Sequence, residues 1–398
     1  MTKVISVNSG SLSLKFQLYE MPQETVLTSG QAERIGQEMG QFTIKVNGEK
    51  KVTQTPIPDH QKAVDLLLQA LVDYKIVESL DEIKGAGHRI VQGGSYFADS
   101  AVVTDEVVEK VSELADLAPL HNPAHLVCYK AFVNALPSIG HVFVFDTAFH
   151  HTMQEKDFLF PVPYDWYTQY GVRRYGAHGT SHYYVSRRCA ELMNRDIDHT
   201  NMITCHLGNG ASLTAIKDGK SINTSMGLAP LGGVMMGTRS GDIDPTVVFY
   251  MAKKLNATWD EMDTYLNKRS GMLGVSGISS DARDIQAAYE AGNKRAILTV
   301  DLYVNRIINV LGGYHTELGH VDAIVFTAGL GENDVDMRER ILKKSEEALG
   351  LSIDYDLNRN TRGKEVRISK DDSRIAVYVI PTNEELVIAR DTVRLLGL

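Results

Sequence analysis

The chain has 398 residues, of which 43% are hydrophobic and 23% charged, a composition typical of globular proteins that excludes a fibrous or wholly disordered chain. At ~100–200 residues per domain, the length favours two or three domains. The formal net charge is −9, and no block of five like charges occurs, so a nucleic-acid partner is not expected.

The three cysteines, Cys128, Cys189 and Cys205, form no C-x-x-C pair, and their odd number argues against a disulfide framework. Buried, reduced thiols in a cytoplasmic protein are therefore expected. The segment Met1–Gly10 lacks the pattern of a signal peptide. The uncharged stretch Ser221–Thr238 contains five Gly or Pro residues, so it indicates a loop and no membrane partner.

The first third of the chain alternates strand and helix patterns. Lys3–Val7 predicts a strand, Asn8-Ser9-Gly10 a turn, and Leu12–Tyr19 a second strand. Gln61–Tyr74 carries its apolar residues along one side, as a surface helix does. The continuous apolar run His141–Phe145 indicates a strand that is buried on both faces.

The rest of the chain continues in the same way. Met202–Leu207 and Ala323–Thr327 predict two more buried strands. Thr258-Trp259-Asp260-Glu261 has the form of a capping box, and helical spacing runs from Ala296 to Leu311. Strands and helices in alternation predict a layered α/β fold.

A weak internal repeat runs through these elements. A strand followed by a polar glycine turn occurs at Val7–Ser11 and again at Leu207–Ala211, with Gly10 and Gly210 separated by 200 residues. Downstream, Val144–Ala148 and Val325–Ala328 are both buried strands that end in small polar residues. We interpret the chain as two halves of similar topology with a cleft between them.

The first turn has the composition of a phosphate-binding loop. Its glycine exposes backbone N–H groups, and Ser11, Ser13 and Lys15 alternate onto one face. The Walker pattern is absent, and an ordinary polar hairpin explains the same residues. Leu207–Ser212 and Thr327–Asn333 are two further glycine turns after buried strands. Together the three junctions favour a nucleotide cleft.

Two arginines, Arg89 and Arg239, stand among small residues, which is typical of a guanidinium that lines a cleft and needs an anionic partner. His121/His125 and His178/His182 have the i, i+4 spacing of metal ligands. Neither pair has the glutamate of H-E-x-x-H, and Pro123 and Gly179 make a regular helix through either pair doubtful. Hydrogen bonding to an oxyanion, or packing as neutral imidazoles, is therefore favoured over a zinc site.

Ile380–Leu386 opens a last helix, which either Thr382 or Asn383 could cap. The acidic pair that follows suits the positive end of a helix. Glu384 is equally well explained as a carboxylate for Mg²⁺.

These motifs together resemble the acetate kinase family. The resemblance runs from about Val4 to Arg390, and its most specific segments are Gly237–Pro245 and His178–His182. The motifs that carry it are Asn8–Phe16, Gly208–Ser212, Met236–Pro245, Phe326–Asn333 and Pro381–Arg390.

The resemblance implies a duplicated ribonuclease-H-like (actin-like ATPase) α/β fold with an interdomain nucleotide cleft. It implies one domain over residues 1–150 with a returning helix over 383–398, and a second over 151–382. The implied reaction is reversible, direct in-line transfer of the γ-phosphoryl group of ATP to acetate, which gives acetyl phosphate and ADP. The implied cofactor is Mg²⁺, with Mn²⁺ as a substitute, and the implied assembly is a cytoplasmic homodimer.

The resemblance also implies roles for individual residues. Those expected at the transferring phosphoryl group are Arg89, Asp146, His178 and Arg239. Those expected to bind the nucleotide are Ser11, Ser13, Lys15, His206, Gly208, Asn209, Gly210, Asp281, Arg283, Gly329, Leu330, Gly331 and Asn333. Those expected at the metal are Asn8 and Glu384, with Asp146 orienting it. Those expected around acetate are Arg89, Val91, Leu120, His121 and Pro230.

Several positions depart from the family pattern without removing a residue of these sets. They are Leu12, Gln92, Ser95, His125, Ala177, Asn223 and Gly232. Ala177 is expected to enlarge the acyl pocket, so propionate kinase activity is the alternative. A sugar or polyol kinase with Asp146 as base, an ATP-binding switch protein and a metallohydrolase remain as less favoured functions.

Overall fold

The computed structural model describes residues 1–119 and 121–398. The chain forms two compact units. The first unit comprises Met1–Ala148 and Asn383–Leu398, and the second unit comprises Phe149–Thr382. Leu120, which is expected to contact acetate, lies outside the described residues.

The first unit is built on an eight-stranded sheet with the order β5-β4-β3-β2-β1-β6-β8-β7. Its strands are β1 (Thr2–Gly10), β2 (Ser13–Met21), β3 (Thr25–Glu33), β4 (Gly40–Val46), β5 (Glu49–Thr55), β6 (Ile83–Ile90), β7 (Ala101–Val102) and β8 (Gly140–Phe145). Its helices are α1 (His60–Asp73), α2 (Asp105–Glu113), α3 (Asn122–Ala135) and, from the end of the chain, α15 (Glu384–Leu396).

The turn of the first hairpin begins after Gly10 and comprises only two residues. Strand β1 continues through Gly10, which pairs with Ser13, so the two-residue turn is Ser11-Leu12. The prediction of a turn at Asn8-Ser9-Gly10 was therefore wrong. The ladder continues because Gly10 still has a cross-strand partner, and consequently Asn8 is a strand residue with its backbone held in register opposite Lys15.

Glycines let α15 pack closely on the sheet of the first unit. A Cβ atom at Gly87 would lie 2.3 Å from Thr392 Oγ1 and 2.4 Å from Ile388 Cγ2. Gly85 and Gly140 give comparable room to Leu396. A larger side chain at these positions would displace the helix, so the glycines fix how close α15 comes to β6 and β8.

The second unit is built on a six-stranded sheet with the order β11-β10-β9-β12-β14-β13. Its strands are β9 (Met202–Leu207), β10 (Ala211–Lys217), β11 (Lys220–Thr224), β12 (Ala323–Thr327), β13 (Val366–Arg367) and β14 (Ala376–Val379). Its helices are α4 (Glu155–Phe158), α5 (Tyr164–Tyr170), α6 (Gly179–Leu192), α7 (Pro245–Leu255), α8 (Trp259–Lys268), α9 (Gly271–Ser276), α10 (Ala282–Glu290), α11 (Lys294–Leu318), α12 (Ala328–Asn333), α13 (Val335–Leu349) and α14 (Tyr355–Arg359).

The two sheets share one topology. In the first unit, β1 pairs with β2 antiparallel and with β6 parallel, and β6 pairs with β8 parallel. In the second unit, β9 pairs with β10 antiparallel and with β12 parallel, and β12 pairs with β14 parallel. The predicted duplication and α/β fold class are thereby confirmed.

Most local predictions in the second unit agree with the structure. Thr258 and Glu261 form the capping box of α8, and Asp218-Gly219 is the turn of the β10–β11 hairpin. The glycine turn predicted after β12 was wrong, because α12 begins directly at Ala328. Glu332 on this helix accepts a hydrogen bond from the Ala328 N–H at 2.8 Å, which stabilises the abrupt change from strand to helix.

All three cysteines are buried free thiols, as predicted. Among the residues that the structure describes, no helix combines the length and the apolar character needed to cross a bilayer.

Arg338 is fully buried beneath α12, and it binds backbone carbonyls instead of a carboxylate. Its guanidinium donates to Gly331 O at 2.9 Å, to Asn358 Oδ1 at 2.9 Å and to Thr361 O at 2.7 Å. Burial lowers the pKa of Arg338 to about 10. The planar fork of the guanidinium thus ties α12 and α13 to the segment after α14.

Replacement of Arg338 by lysine is expected to lower the free energy of unfolding by about 3 kcal/mol, because an ammonium group cannot reach all of these acceptors and leaves buried carbonyls unpaired. Urea unfolding followed by circular dichroism measures the change. The matched control is Arg306→Lys on the exposed side of α11, expected to stay within about 0.5 kcal/mol of the parent protein. Equal, small changes in both variants would contradict this role.

Candidate active site

In the first unit, Arg89 and Asp146 form a bidentate salt bridge at the carboxyl ends of two parallel strands. Arg89 lies in β6, and Asp146 follows β8 directly. Arg89 Nε donates to Asp146 Oδ1 at 3.0 Å, and Arg89 Nη1 donates to Asn8 Oδ1 at 3.1 Å. Burial alone would lower the pKa of Arg89, but the charge and hydrogen bonds of Asp146 raise it above its ordinary value. Arg89 is therefore a permanently charged group.

Glu384 stands at the amino end of α15, beside this pair. Asn383 caps the helix by accepting a hydrogen bond from Leu386 N–H at 3.1 Å, which settles the choice between Thr382 and Asn383. Burial raises the pKa of Glu384 to about 7, with Arg89 opposing the rise and Asp146 adding to it. Its surroundings therefore favour the protonated form of Glu384.

The three side chains expected at the metal are oxygen donors, which suits Mg²⁺. Both Asp146 oxygens already accept from Arg89, at 3.0 and 3.1 Å from Nε. Glu384 is then the carboxylate best able to contact a cation directly. In the part of the chain described here, no group of three or more His, Cys, Asp or Glu side chains is arranged to hold a metal, so the site would depend on water and substrate oxygens as further ligands.

The residues expected at the phosphate-side loop lie along the first hairpin. Ser11 occupies the turn, and Ser13 and Lys15 share one face of β2. Ser9 Oγ lies 3.2 Å from His125 Nδ1, a contact that the sequence did not suggest. Burial lowers the pKa of His125 to about 3, so this departure from the family pattern places a neutral imidazole behind the loop.

In the second unit, His178 is fixed by a chain of hydroxyl and imidazole groups. It precedes α6 in a left-handed conformation with φ of 56°, unusual for a residue with a side chain. His178 Nδ1 lies 2.8 Å from Ser212 Oγ, and Ser212 Oγ lies 2.8 Å from His182 Nε2. His182 Nδ1 lies 2.7 Å from Thr204 Oγ1, and burial lowers the pKa of His182 well below its ordinary value. These contacts lock the orientation of the His178 ring.

His206 stacks on His178 with ring centroids 4.0 Å apart. Its Nδ1 lies 2.8 Å from Ser181 Oγ, which in turn contacts Thr382 Oγ1 at 2.7 Å. Both imidazoles therefore hold fixed positions beside the glycine loop that follows β9.

Arg239 reaches the same glycine loop. A Cβ atom at Gly210 would lie 3.2 Å from Arg239 Nη2 and 3.5 Å from His178 Cε1. Burial lowers the pKa of Arg239, and Arg239 Nη1 donates to the backbone carbonyl of Pro230. Among the described residues Arg239 forms no salt bridge with a carboxylate, in contrast to Arg89. This geometry leaves a desolvated positive charge able to receive an anion.

A cavity of about 940 Å³ adjoins the glycine loop, a volume in the range of ligand sites. Seven residues expected to bind the nucleotide line it. They are Gly208, Asn209, Asp281, Arg283, Gly329, Leu330 and Asn333. Asp281 caps α10 and forms an ion pair with Arg283, so the two are held as one polar wall. Gly210 and Gly331 do not line this cavity, though Gly210 remains close to Arg239.

Some residues that line the cavity were not predicted from the sequence. Gln286, Ala287 and Glu290 also line the cavity, one face of α10 continuing from Arg283. Their separation by three and four residues places them on one face of a helix, and this sequence pattern could have identified them. Glu332 was missed as well: its Oε1 accepts from Ala328 N–H at 2.8 Å and from Thr382 N–H at 3.0 Å.

The residues expected around acetate are only partly described. Val91 is buried in the first unit and Pro230 lies in the second, where its carbonyl is bound by Arg239. His121 caps α3. Ala177 is buried in the hydrophobic core of the second unit, so a larger residue there would overpack that core. Gln92, another departure, is buried and accepts from Gly94 N–H at 2.9 Å, which is a structural role.

Both i, i+4 histidine pairs lie at helix starts. The doubt about a regular helix through either pair is confirmed, since α3 begins at Asn122 and α6 at Gly179, which leaves the first histidine of each pair outside the helix. His125 and His182 bind hydroxyl groups at 3.2 and 2.7 Å, as expected for hydrogen-bonding imidazoles.

Comparison with known proteins decides the family. The model of the acetokinase family matches residues 3–390. The chain belongs to the acetokinase family. It is 54% identical over 395 residues to an acetate kinase of Geobacillus sp. (strain WCH70), with 99% of each chain covered.

Two solved structures are similar over their whole length. The acetate kinase of Porphyromonas gingivalis has a TM-score of 0.95 at 45% identity, with all of both chains covered. A propionate kinase from Francisella tularensis subsp. tularensis SCHU S4 has a TM-score of 0.94 at 37% identity, with 99% of this chain and 100% of that chain covered. The acetokinase family thus includes relatives named for two different acyl substrates.

Glu384 generates a prediction for stability. A carboxyl group whose pKa is raised on folding stays protonated while its unfolded counterpart ionises, so folding becomes less favourable as the pH rises from about 4.5 to about 7. Glu384→Gln removes this titration. Without divalent metal, its melting temperature should exceed that of the parent protein by a few degrees at pH 8 and by almost nothing at pH 4.5.

Differential scanning calorimetry at several pH values measures this difference. Glu385→Gln is the matched control on the neighbouring residue, and no such pH-dependent gain is expected from it. A constant difference between Glu384→Gln and the parent protein across the range would show that Glu384 is not buried in the way described.

Proposed function

We propose that the protein is an acetate kinase, which transfers the γ-phosphoryl group of ATP to acetate and gives acetyl phosphate and ADP, reversibly. The observation that carries the proposal is Arg239. Its partly buried guanidinium stands beside Gly210 and the fixed His178 ring, next to the large cavity, in a chain of the acetokinase family. A positive charge without a carboxylate partner, beside a cavity of nucleotide size, suits an oxyanion that arrives with the substrate.

Phosphoryl transfer to acetate requires positive charge and correct positioning of the reactants, and it requires no general base. Acetate is ionised at neutral pH, so its oxygen can attack the γ-phosphorus while the bond to the β–γ bridging oxygen breaks. No proton needs to be removed from the acceptor. Asp146 is then free to hold Arg89, which is what the ion pair does.

Each group has a role in this proposal. Arg89 and Arg239 neutralise the negative charge of the phosphoryl oxygens and of the carboxylate, and His178 donates to a phosphoryl oxygen. The loop from Gly208 to Gly210 lies against the phosphate chain, and Asp281 with Arg283 contacts the nucleoside. The hydroxyls of Ser11 and Ser13 and the ammonium of Lys15 bind phosphate oxygens from the first hairpin.

Magnesium fits the residues of the first unit, and Mn²⁺ fits the same donors. When bound, the cation neutralises charge on the nucleotide phosphates. Glu384 would hold it, and Asn8 and Asp146 would orient its water ligands. The raised pKa of Glu384 supports this role, because a carboxyl group kept protonated by its surroundings ionises readily when a cation arrives.

Arg239→Ala provides the sharpest test of the site. It is expected to lower kcat by about 10³-fold or more, while the melting temperature stays close to that of the parent protein. Arg89→Ala should also abolish activity, but it leaves Asp146 buried without its partner and costs about 3–5 kcal/mol of stability.

Trapping of acyl phosphates with hydroxylamine, after incubation with Mg-ATP, measures the reaction. Acetate should give the largest yield, propionate less and butyrate none. Propionate turnover equal to that of acetate would make propionate kinase the better description. Arg306→Ala serves as control for a lost surface charge. Activity of Arg239→Ala within a few-fold of the parent protein would exclude Arg239 from the site.

Direct transfer has its own test. A single in-line displacement inverts the configuration of a chiral γ-phosphate, so inversion is the expected result. Retention would require an even number of transfers and therefore a phosphoenzyme.

We also propose a homodimer, formed through the apolar side of α7. All eleven residues of this helix are at least partly exposed, although most of its first seven are apolar. Val247 is 46% exposed, Phe249 56%, Tyr250 58% and the neighbouring Trp259 66%. A patch of large apolar side chains of this kind is typical of a protein–protein interface. Cytoplasmic location is proposed with it, in keeping with three free thiols.

Phe249→Asp is expected to convert the dimer to a monomer, because a carboxylate placed in an apolar interface would be desolvated without a partner. Sedimentation velocity at micromolar concentration measures the change. Tyr170→Asp is the matched control, since Tyr170 is 69% exposed and lies on α5, outside the patch. A parent protein that sediments as a monomer would contradict the proposal.

A further inference from the structure

A second pocket of the second unit lies at the edge of the sheet remote from the nucleotide cavity. It has a volume of about 360 Å³, and Arg195, Asp322, Arg367, Arg374 and Tyr378 line it. Asp322 immediately precedes β12, which runs for five residues before it reaches α12 at the nucleotide cavity. At about 3.3 Å per residue, the two ends of β12 are about 17 Å apart. A ligand here would not overlap the nucleotide.

The charge of this pocket is opposite to that of the protein. Three guanidinium groups and one carboxylate line it, which leaves a net charge of +2, whereas the chain carries −9. Such a concentration of one sign in a concave surface raises the local concentration of anions.

The single carboxylate in the pocket already accepts three hydrogen bonds. The side chain of Asp322 is only 7% exposed, and it accepts hydrogen bonds from Arg195, from His320 Nε2 at 2.9 Å and from Asn201 N–H at 2.8 Å. Burial alone would raise the pKa of Asp322, but these bonds and the charge of Arg195 lower it. Asp322 therefore compensates Arg195, and it forms no salt bridge with Arg367 or Arg374.

Arg374 is exposed and lines the same pocket. Its backbone N–H donates to Gly350 O at 3.0 Å, and its stem packs against Gly350. Within the described residues, its guanidinium makes no hydrogen bond or ion pair with another side chain. Arg367 pairs with Asp371 at 3.2 Å, but that carboxylate is fully exposed and compensates it weakly. Two weakly compensated arginines thus line the same pocket.

We propose that this pocket, the three-arginine pocket, binds a small oxyanion that carries two or more negative charges. Guanidinium forks match the paired oxygens of phosphoryl and carboxylate groups, and an anion between Arg367 and Arg374 removes the repulsion between them. A phosphate ester and a polycarboxylate share this chemistry. Binding here stabilises the native second unit without occupying the nucleotide cavity.

The test uses the full-length protein with saturating ADP, without divalent metal and at constant ionic strength. Pyrophosphate represents the phosphate class, and tricarballylate represents the polycarboxylates. We expect at least one of them to raise the melting temperature by several degrees at millimolar concentration, compared with NaCl of equal ionic strength. Isothermal titration calorimetry should give one site per chain.

Arg374→Ala separates this pocket from every other anion site. It should reduce the affinity for the active probe at least tenfold and remove the thermal shift, whereas Arg306→Ala, which removes an exposed arginine elsewhere in the second unit, should change neither. Arg374→Gln provides the same readout if the alanine variant is poorly folded. The anion that binds more tightly identifies the class of ligand.

Two results would overturn the proposal. One is the lack of any shift with either anion beyond that of NaCl. The other is a shift that survives Arg374→Ala and Arg374→Gln, which would place the anion in the phosphate region of the nucleotide site. Neither result depends on kinase activity, so failure here leaves the proposed reaction intact.

Discussion

The parallel alignment of the central strands is the constraint on which the candidate site depends. In each sheet, three neighbouring strands run in the same direction, so their carboxyl ends meet at one edge. In the first unit this edge collects Asn8, Arg89 and Asp146. In the second unit the loops after β9 and β12 open onto the large cavity in the same way. Ligands of open α/β sheets generally bind at such an edge.

The two proposed anion-binding arginines are held by different means. Arg89 is bound by Asp146, so its charge is compensated before any substrate arrives and its position is rigid. Arg239 donates to a backbone carbonyl and keeps its charge uncompensated by a carboxylate. Loss of Arg89 would therefore lower stability, because it leaves Asp146 as a buried charge without a partner. Loss of Arg239 leaves no such charge.

The histidines of the second unit show how a neutral network can position one functional ring. His182 is buried and uncharged, and through Ser212 it fixes the ring of His178. The left-handed backbone of His178 is retained because the surrounding contacts determine it. At the opposite edge of the same sheet, the anion site that we propose in the three-arginine pocket would rely on charge instead of a neutral network.

Hydrophobic pattern determined the strands Met202–Leu207 and Ala323–Thr327 and the long helix α11, because burial on both faces or on one stripe leaves a periodic trace in the sequence. The repeated strand-and-turn segments indicated the duplicated α/β topology. Capping chemistry likewise determined the start of α8. Glycine content predicted turns at Gly10 and Gly329 that the structure does not have. At Gly10, cross-strand pairing outweighed the local turn preference. At Gly329, the hydrogen bond from Ala328 N–H to Glu332 did so. Only the tertiary structure decided that Arg89 forms a salt bridge with a carboxylate whereas Arg239 binds a backbone carbonyl. It also decided that Glu332 bridges two segments. The same holds for the pocket that Arg195, Arg367 and Arg374 share. These features join residues that are dozens to more than a hundred positions apart, and no local pattern records such distances.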